Sequence, residues 1–209
     1  MKTMEELTAS ALTAASAQPT KEKPRNIKVW AEWFKMQTHN DPQVEQMILR
    51  GAEFASAFKE GKQPRWMTLL GPSGIGKTHC ARRLWNHLAS RLNWREVEFI
   101  QREIKWGEFV SRLRAGNAFE DFRDMMTWPV LFLDDIGVER DTTGFATEQL
   151  TVLLGCRENK WTIITSNLML DQLGAIDPRI ADRIIRAPNI YIEADTKSHA
   201  IRKLENKPN

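Results

Sequence analysis

The sequence has few cysteines and no long apolar run. Its two cysteines, Cys80 and Cys156, show no metal-binding or redox spacing, and both lie in apolar segments of helical character, so we expect reduced core thiols. No stretch approaches the roughly 18 apolar residues that a membrane span requires. The N-terminus lacks a compact apolar segment followed by a cleavage site, which argues against a signal peptide. We therefore expect a cytoplasmic protein that makes no membrane contact.

A strong charge of one sign is also absent. The net charge is +3 from 30 basic and 27 acidic residues, which permits nucleic-acid binding without predicting it. Apolar residues make up 42% of the 209 residues, enough for the core of one α/β domain, and the chain is short for two domains. We expect residues 1–40 to form a partly disordered tail or partner-binding segment, and residues 41–209 to form the main domain.

One glycine-rich segment follows a short apolar stretch and precedes a periodic helix. Gly71, Gly76, Lys77 and Thr78 satisfy the G-x-x-x-x-G-K-[ST] phosphate-loop pattern. Glycines allow successive backbone N–H groups to point at an anion, and the N-terminus of the helix adds to this attraction. Lys77 is expected to bind the β- and γ-phosphates, and the Thr78 hydroxyl to ligate Mg²⁺. The predicted nucleotide-binding residues are Gly71, Pro72, Ser73, Gly74, Ile75, Gly76, Lys77, Thr78 and His79.

Two acidic residues end a second apolar run at 129–135. The run is short and strand-like, so it predicts a buried parallel strand with acids at its carboxyl end, where ligands of doubly wound sheets bind. Asp134 is predicted to hold Mg²⁺, and Asp135 to orient the attacking water. A third apolar run ends at Ser166-Asn167, which places the Asn167 amide near a γ-phosphate or the lytic water.

Strand and helix patterns alternate along the chain. They predict an α/β phosphate-loop fold with a five-stranded parallel sheet and helices on both faces. The predicted strands are 66–70, 97–101, 130–134, 161–165 and 190–192. The predicted helices are 42–60, one that begins directly after the phosphate loop and has its apolar stripe at 81–92, 106–116, 119–128, 143–159, 176–186 and one from a cap at Asp195 to about 205.

Four short motifs occur in a characteristic order: Gly-Lys-Thr-His at 76–79, Asp-Asp-Ile-Gly at 134–137, Thr-Ser-Asn-Leu at 165–168 and Asp-Arg at 182–183. Together they resemble the AAA+ ATPases that load the bacterial replicative helicase, the DnaC type, and their relatives, the IstB-type transposition helpers. The resemblance covers about residues 40–195, and it implies ATP with Mg²⁺ as the cofactors. Residues 41–209 are accordingly predicted to be an AAA+ ATPase domain without a separate C-terminal lid domain.

The resemblance also implies roles and partners. Asn167 would be the sensor 1 residue, and Arg183 the arginine finger that reaches the neighbouring subunit's nucleotide, with Arg179 as the alternative. A guanidinium suits that role because it is always charged and presents several donors to phosphate oxygens. A finger in trans implies ATP-dependent homo-oligomers. The implied partners are a hexameric, DnaB-like replicative helicase and single-stranded DNA.

Three features depart from the family pattern. Asp135 stands where many members carry Glu, so hydrolysis is expected to be slow. Only 17 residues follow Ile192, which leaves the sensor 2 residue unassigned, with Arg202 a weak candidate. The segment before the core, which binds the helicase in loaders, is short. A basic and aromatic cluster suits single-stranded DNA, or is the solvated face of an amphipathic helix: Lys105, Trp106, Arg112 and Arg114.

Three functions fit these observations. The first is an ATP-dependent loader that assembles on a replicative helicase and single-stranded DNA and is released by hydrolysis. The second is an IstB-like transposition helper that binds duplex DNA and a transposase. The third is a nucleotide-dependent scaffold with negligible hydrolysis.

Overall fold

A computed structural model describes residues 41–91, 103–137, 141–186 and 188–201, which form a parallel five-stranded sheet in the order β2-β3-β4-β1-β5 with helices on both faces. The predicted α/β fold is confirmed. The strands are β1 (Trp66–Leu70), β2 (Ile104–Lys105), β3 (Val130–Asp134), β4 (Trp161–Ser166) and β5 (Ile190–Glu193). The helices are α1 (Pro42–Glu60), α2 (Lys77–Ala89), α3 (Trp106–Arg114), α4 (Phe119–Thr127), α5 (Phe145–Cys156), α6 (Leu170–Ile176) and α7 (Pro178–Ile185).

The three central strands are buried along their whole length. Parallel strands covered by helices on both faces read as continuous apolar runs, which is why these strands could be located from sequence. Alternate side chains of the central strands pack into two separate apolar clusters, one on each face of the sheet. Met67 and Leu69 pack with α1 and α2, whereas Leu131 and Leu133 pack with residues of α3 to α7.

The first helix has the ends that its sequence predicts. The Asp41 carboxylate accepts hydrogen bonds from the backbone N–H groups of Gln43 and Val44, and Pro42 occupies the first helical position. Gly61 ends the helix in the left-handed conformation at φ 68°. Asp41 also accepts a hydrogen bond from the Thr196 hydroxyl, so this cap joins α1 to the C-terminal segment.

Three predicted helix boundaries were wrong. The helix predicted at 143–159 is α5, which spans 145–156. The helix predicted at 176–186 is α7, which spans 178–185, because Asp177 is extended and caps it, with Pro178 at its first position; α6 at 170–176 was not predicted. The last helix begins at residue 199, where the Ser198 hydroxyl accepts from the N–H of Ile201, and Asp195 does not cap it.

The two cysteines differ in exposure. Cys80 is buried, and burial raises the pKa of its thiol to about 12, whereas Cys156 is exposed, so its predicted core position was wrong. The predicted strand at 97–101, the segment 1–40 and Arg202 lie outside the described residues. Within the described ranges, every helix is too short or too polar to cross a membrane.

Candidate nucleotide site

The strand order brings three loops together. Because β4 lies between β1 and β3, the loop after β1, Asn167 after β4 and the two acids at the end of β3 meet at one edge of the sheet. This edge holds the carboxyl ends of the strands, where α/β sheets bind their ligands. These predicted site residues are separated by up to 90 positions in sequence, yet they form one connected set of hydrogen bonds.

The phosphate loop depends on glycine at two tight positions. Gly71 has φ 133° and Gly74 has φ 82°, values that residues with a side chain rarely adopt. A Cβ atom at Gly71 would lie 2.0 Å from the carbonyl oxygen of Ala194, and one at Gly74 would lie 2.9 Å from Cβ of Ser198. The C-terminal segment at 194–198 therefore packs directly against the loop.

Two backbone hydrogen bonds fasten that segment to the loop. Ala194 N–H donates to the carbonyl of Leu70 at 3.0 Å, and His199 N–H donates to the carbonyl of Gly74 at 2.8 Å. The side chain of Ile75 is buried beneath the loop, and those of Ser73 and His79 are exposed. The exposed side of the loop is thus left open to a ligand.

Lys77 is the first residue of α2, and its side chain is buried. Its ammonium donates to the carbonyls of Gly71 and Pro72 at 2.6 and 2.8 Å, and to Oδ1 of Asn167 at 2.9 Å. Burial lowers the pKa of Lys77, and the charges of Asp135 and Asp134 oppose that shift. The ammonium is therefore held at the mouth of the loop, ready to exchange these acceptors for phosphate oxygens.

Asp134 accepts from two hydroxyl groups. Thr78 Oγ1 lies 2.9 Å from Asp134 Oδ1, and Thr165 Oγ1 lies 2.6 Å from the same oxygen. Burial raises the pKa of Asp134, and the bonds from the two threonines act in the opposite direction. Hydroxyl and carboxylate oxygens are ligands that Mg²⁺ prefers.

Asp135 has an unusual backbone. Its φ is 56°, in the left-handed region, and its N–H donates to Thr165 Oγ1 at 3.0 Å. Aspartate adopts this region more readily than most residues, which gives a physical reason for Asp rather than Glu here. Its carboxylate accepts from Asn167 Nδ2 at 3.1 Å, so Asn167 bridges Asp135 and Lys77.

The site fits a magnesium–nucleoside triphosphate. Its glycines hold the loop in the curled conformation that points backbone N–H groups at an anion, and the N-terminus of α2 follows directly. Among the described residues, no three His, Cys, Asp or Glu side chains group to hold a metal by themselves. A Mg²⁺ ion would thus be held by Thr78 and Asp134, with phosphate and water completing its shell.

A family model described as "IstB-like ATP binding protein" matches residues 31–190. The chain belongs to this family of IstB-like ATP-binding proteins. The match includes the phosphate loop, Asp134, Asp135, Asn167 and Arg183, and it confirms the resemblance drawn from the four motifs.

Other members of the same AAA+ group are similar in sequence and fold. The "Replicative helicase loader DnaI" of Bacillus subtilis is 26% identical over 142 residues, which are 67% of this chain and 45% of that protein. The crystal structure of a DnaI has a TM-score of 0.60 at 26% identity and covers 74% of this chain and 86% of that one. The structure of the DnaC helicase loader has a TM-score of 0.55 at 21% identity, covering 71% and 90%.

A further structural neighbour is DnaA, described as bound to AMPPCP and single-stranded DNA. Its TM-score is 0.54 at 18% identity, covering 71% of this chain and 46% of that one, a likeness of fold alone. This IstB-like chain spans less than half the length of the curated relatives it matches.

Arg183 lies away from the phosphate loop of this IstB-like domain. It lines an open pocket of about 140 Å³ together with Trp66, Glu158, Arg186 and Asn189. These residues precede or begin strands, so the pocket is at the amino-terminal edge of the sheet. The five residues of β1 separate the two edges by roughly 16 Å, at about 3.3 Å a residue.

The Arg183 side chain is 20% exposed, and its Nε lies 3.8 Å from Oε1 of Glu158. Its Nε and Nη1 atoms are buried and have no hydrogen-bond partner among the described residues. Arg179, by contrast, is 68% exposed, and its guanidinium donates to the Asp177 carboxylate at 2.8 Å. Of the two predicted fingers, Arg183 is the one with buried N–H donors that lack a hydrogen-bond partner among the described residues.

Of the two alternatives for the basic and aromatic cluster, base stacking by Trp106 is excluded, because its side chain is fully buried beside Phe109. The three basic residues of that cluster are exposed, but each pairs with an acid. The pairs are Lys105 with Glu108, Arg112 with Asp121, and Arg114 with Asp141. This agrees with the amphipathic-helix alternative, a buried aromatic face and a solvated charged face.

The sequence patterns missed one acid near the site. Glu103 directly precedes β2, and its carboxylate accepts from Arg82 Nε and Nη2 at 2.7 and 2.8 Å. No motif contains Glu103, and the nearness of β2 to the end of β3 is a property of the sheet.

Proposed function

We propose that this protein is an ATP-dependent loader of a replicative DNA helicase. Its likeness to DnaI in both sequence and fold carries the proposal, since that relative is a replicative helicase loader. In this proposal ATP drives assembly on a hexameric helicase and single-stranded DNA, and hydrolysis releases the loader.

The site residues have distinct roles in the proposed ATPase. Lys77 binds the β- and γ-phosphates, and Thr78 and Asp134 hold Mg²⁺, which would neutralise the developing phosphate charge. Asp135 orients the attacking water, and Asn167 couples that water to the γ-phosphate through its contacts to Asp135 and Lys77. Asp135 has one methylene fewer than Glu, so we expect slow turnover that rises with partner or DNA bound.

Arg183 is proposed to act on the nucleotide of a neighbouring copy. Its position at the amino-terminal edge of the sheet keeps it from the phosphates of its own subunit. Its unused N–H donors suit phosphate oxygens, and Glu158 is the acid from which it would separate on assembly. Because Arg183 of one copy would contact the γ-phosphate bound by the next, assembly of copies would require ATP.

Arg183→Ala is expected to abolish ATP-stimulated oligomerisation and leave ATP binding by the single subunit unchanged. The matched control is Arg179→Ala, which removes a guanidinium from the same helix but one already paired with Asp177. Light scattering after size exclusion, with ATP or ADP, measures assembly. Unchanged assembly of the Arg183 variant, or its loss only in the Arg179 variant, would contradict the assignment.

A transposition helper is the second candidate, favoured by the description of the family model that spans residues 31–190. Such a protein would bind duplex DNA and a transposase. A competition between single- and double-stranded DNA separates the two candidates, since a preference for duplex favours the helper.

The decisive test is purification of partners from the source cell with ATP present, using the intact chain and one lacking residues 1–40. Lys77→Ala serves as the control that cannot use ATP. Recovery of a hexameric helicase that is lost on truncation supports the loader, and recovery of a transposase supports the helper. If ATP hydrolysis stays at background with DNA and the partner present, the protein is a nucleotide-dependent scaffold.

A further inference from the structure

The guanidinium of Arg183 lies against the C-terminal end of α5. Helices α5 and α7 contribute to the same apolar cluster, with Leu154 from the first and Ile184 from the second. A Cβ atom built on Gly155 would lie 3.1 Å from Nη2 of Arg183, which is closer than most real Cβ contacts. Gly155 therefore makes room for the guanidinium.

The backbone of α5 does not require glycine at this position. Gly155 lies inside the helix, and its φ is negative, so alanine could adopt the same conformation. Alanine would also favour the helix, because glycine inside a helix normally lowers stability. The space that the Arg183 side chain occupies is thus the physical reason for a glycine here.

Glu158 completes a seat for Arg183, which we define as Gly155 and Glu158. The Oε1 atom of Glu158 lies 3.8 Å from Nε of Arg183 but only 2.8 Å from Nη1 of Arg186. Arg186 is held in turn by Asp182. The Glu158 carboxylate is therefore shared by two arginines, and it accepts a hydrogen bond from the nearer one.

The seat keeps donors of Arg183 buried. Its Nε and Nη1 atoms are buried, and they have no hydrogen-bond partner in the part of the chain that the structure describes. A phosphate oxygen outside the seat would be a stronger partner, because a buried donor without an acceptor is unfavourable. The pocket of about 140 Å³ beside the seat provides the room into which the guanidinium can turn.

We propose that Gly155 and Glu158 are positioning residues, which hold Arg183 in a resting position in the single subunit and so set the ATP concentration at which copies assemble. This proposal rests on the proposed role of Arg183 toward the nucleotide of a neighbouring copy. When only a fraction of subunits has the guanidinium released, the apparent affinity between copies falls by that fraction. Weakening the seat should therefore favour assembly.

Glu158→Gln and Gly155→Ala test the proposal, since the first removes the charge of the seat and the second narrows it. Each is expected to lower the ATP concentration for half-maximal assembly about threefold, the size of effect of a half-exposed ion pair. Light scattering after size exclusion at a series of ATP concentrations measures assembly, and calorimetric titration of the dilute single subunit should show unchanged ATP binding.

Two control variants make the same chemical changes away from the seat. Glu53→Gln removes an acid that is 49% exposed and pairs with Arg50. Gly174→Ala adds a Cβ in α6 that would make an ordinary contact of 3.5 Å with Cβ of Ala181. Neither should change the ATP concentration for half-maximal assembly.

Arg186→Ala is expected to have the opposite effect. With Arg186 removed, the Glu158 carboxylate is left to Arg183 alone and holds it more firmly, so the ATP requirement should rise. The rise should disappear when Glu158→Gln is also present, because the two residues act through one contact. A rise of equal size in both backgrounds would contradict the sharing of Glu158.

An unchanged or higher ATP requirement in folded Glu158→Gln or Gly155→Ala overturns the proposal. If Gly155→Ala does not fold, the result for Glu158→Gln decides alone. Assembly of Arg183→Ala at the same ATP concentration as the unchanged protein would instead refute the proposed role of Arg183, and the seat with it.

Discussion

Gly71→Ala is expected to weaken ATP binding by about 100-fold, the size of effect that a displacement near 1 Å produces at a preorganised site. The new Cβ would lie 2.0 Å from the carbonyl oxygen of Ala194, and backbone atoms cannot yield as a flexible side chain can. Relief requires the loop or the C-terminal segment to move. Either movement breaks the hydrogen bond between Ala194 and Leu70 and shifts the Gly71 carbonyl that holds Lys77.

The control is Gly116→Ala, at a glycine with the same sign of φ. Gly116 has φ 80°, and nothing lies within 4 Å of a Cβ built there. This variant should lose about 1 kcal/mol of unfolding free energy to backbone strain and keep its ATP affinity. Calorimetric titration with ATP and chemical denaturation measure the two quantities. Normal ATP affinity in folded Gly71→Ala would show that the loop does not bind the phosphates.

Arg157→Ala is expected to lower the free energy of unfolding by about 3–5 kcal/mol. Arg157 follows α5 and is fully buried. Its guanidinium donates to the carbonyls of Met125, Trp128 and Trp161 and to the Thr162 hydroxyl. Truncation leaves these buried oxygens without their donor and opens a cavity between α4 and β4.

Burial also imposes a cost on the charge, because all four of these acceptors are neutral. That cost is visible in the pKa of Arg157, which burial lowers to about 9. Removing the charge therefore offsets part of the loss, and we expect the unsatisfied carbonyls and the cavity to outweigh it. Arg157→Lys should be intermediate, since one ammonium cannot reach four divergent acceptors.

Arg112→Ala is the control for Arg157. Arg112 is half-exposed and pairs with Asp121, so its removal should change the unfolding free energy by less than about 1 kcal/mol. Urea denaturation of the variants measures the difference. If Arg157→Ala lowers the unfolding free energy by less than about 1 kcal/mol, water or a rearrangement must satisfy the carbonyls that lose their donor. In that case Arg157 contributes little to the stability of the fold.

Local chemistry explains which elements could be predicted. The strands at 66–70, 130–134 and 161–166 are apolar runs buried on both faces, and α1 is bounded by an Asp-Pro cap and a glycine, so each signal lies within a few residues. The start of α7 was misplaced because Pro178 was read as lying inside a helix rather than at its first position. The burial of Trp106 was left open, because a tryptophan among basic residues suits base stacking as well as a core.

The sequence by itself determined the phosphate loop, the two acids at the end of β3, the three central strands and most of the helices, because backbone conformation and apolar periodicity are local properties. Only the tertiary structure decided which distant residues meet. It placed β4 between β1 and β3, so that Asn167 bridges Lys77 and Asp135. It set Arg183 at the opposite edge of the sheet. Strand order depends on how both faces of the sheet are buried at once, and no single segment carries that information.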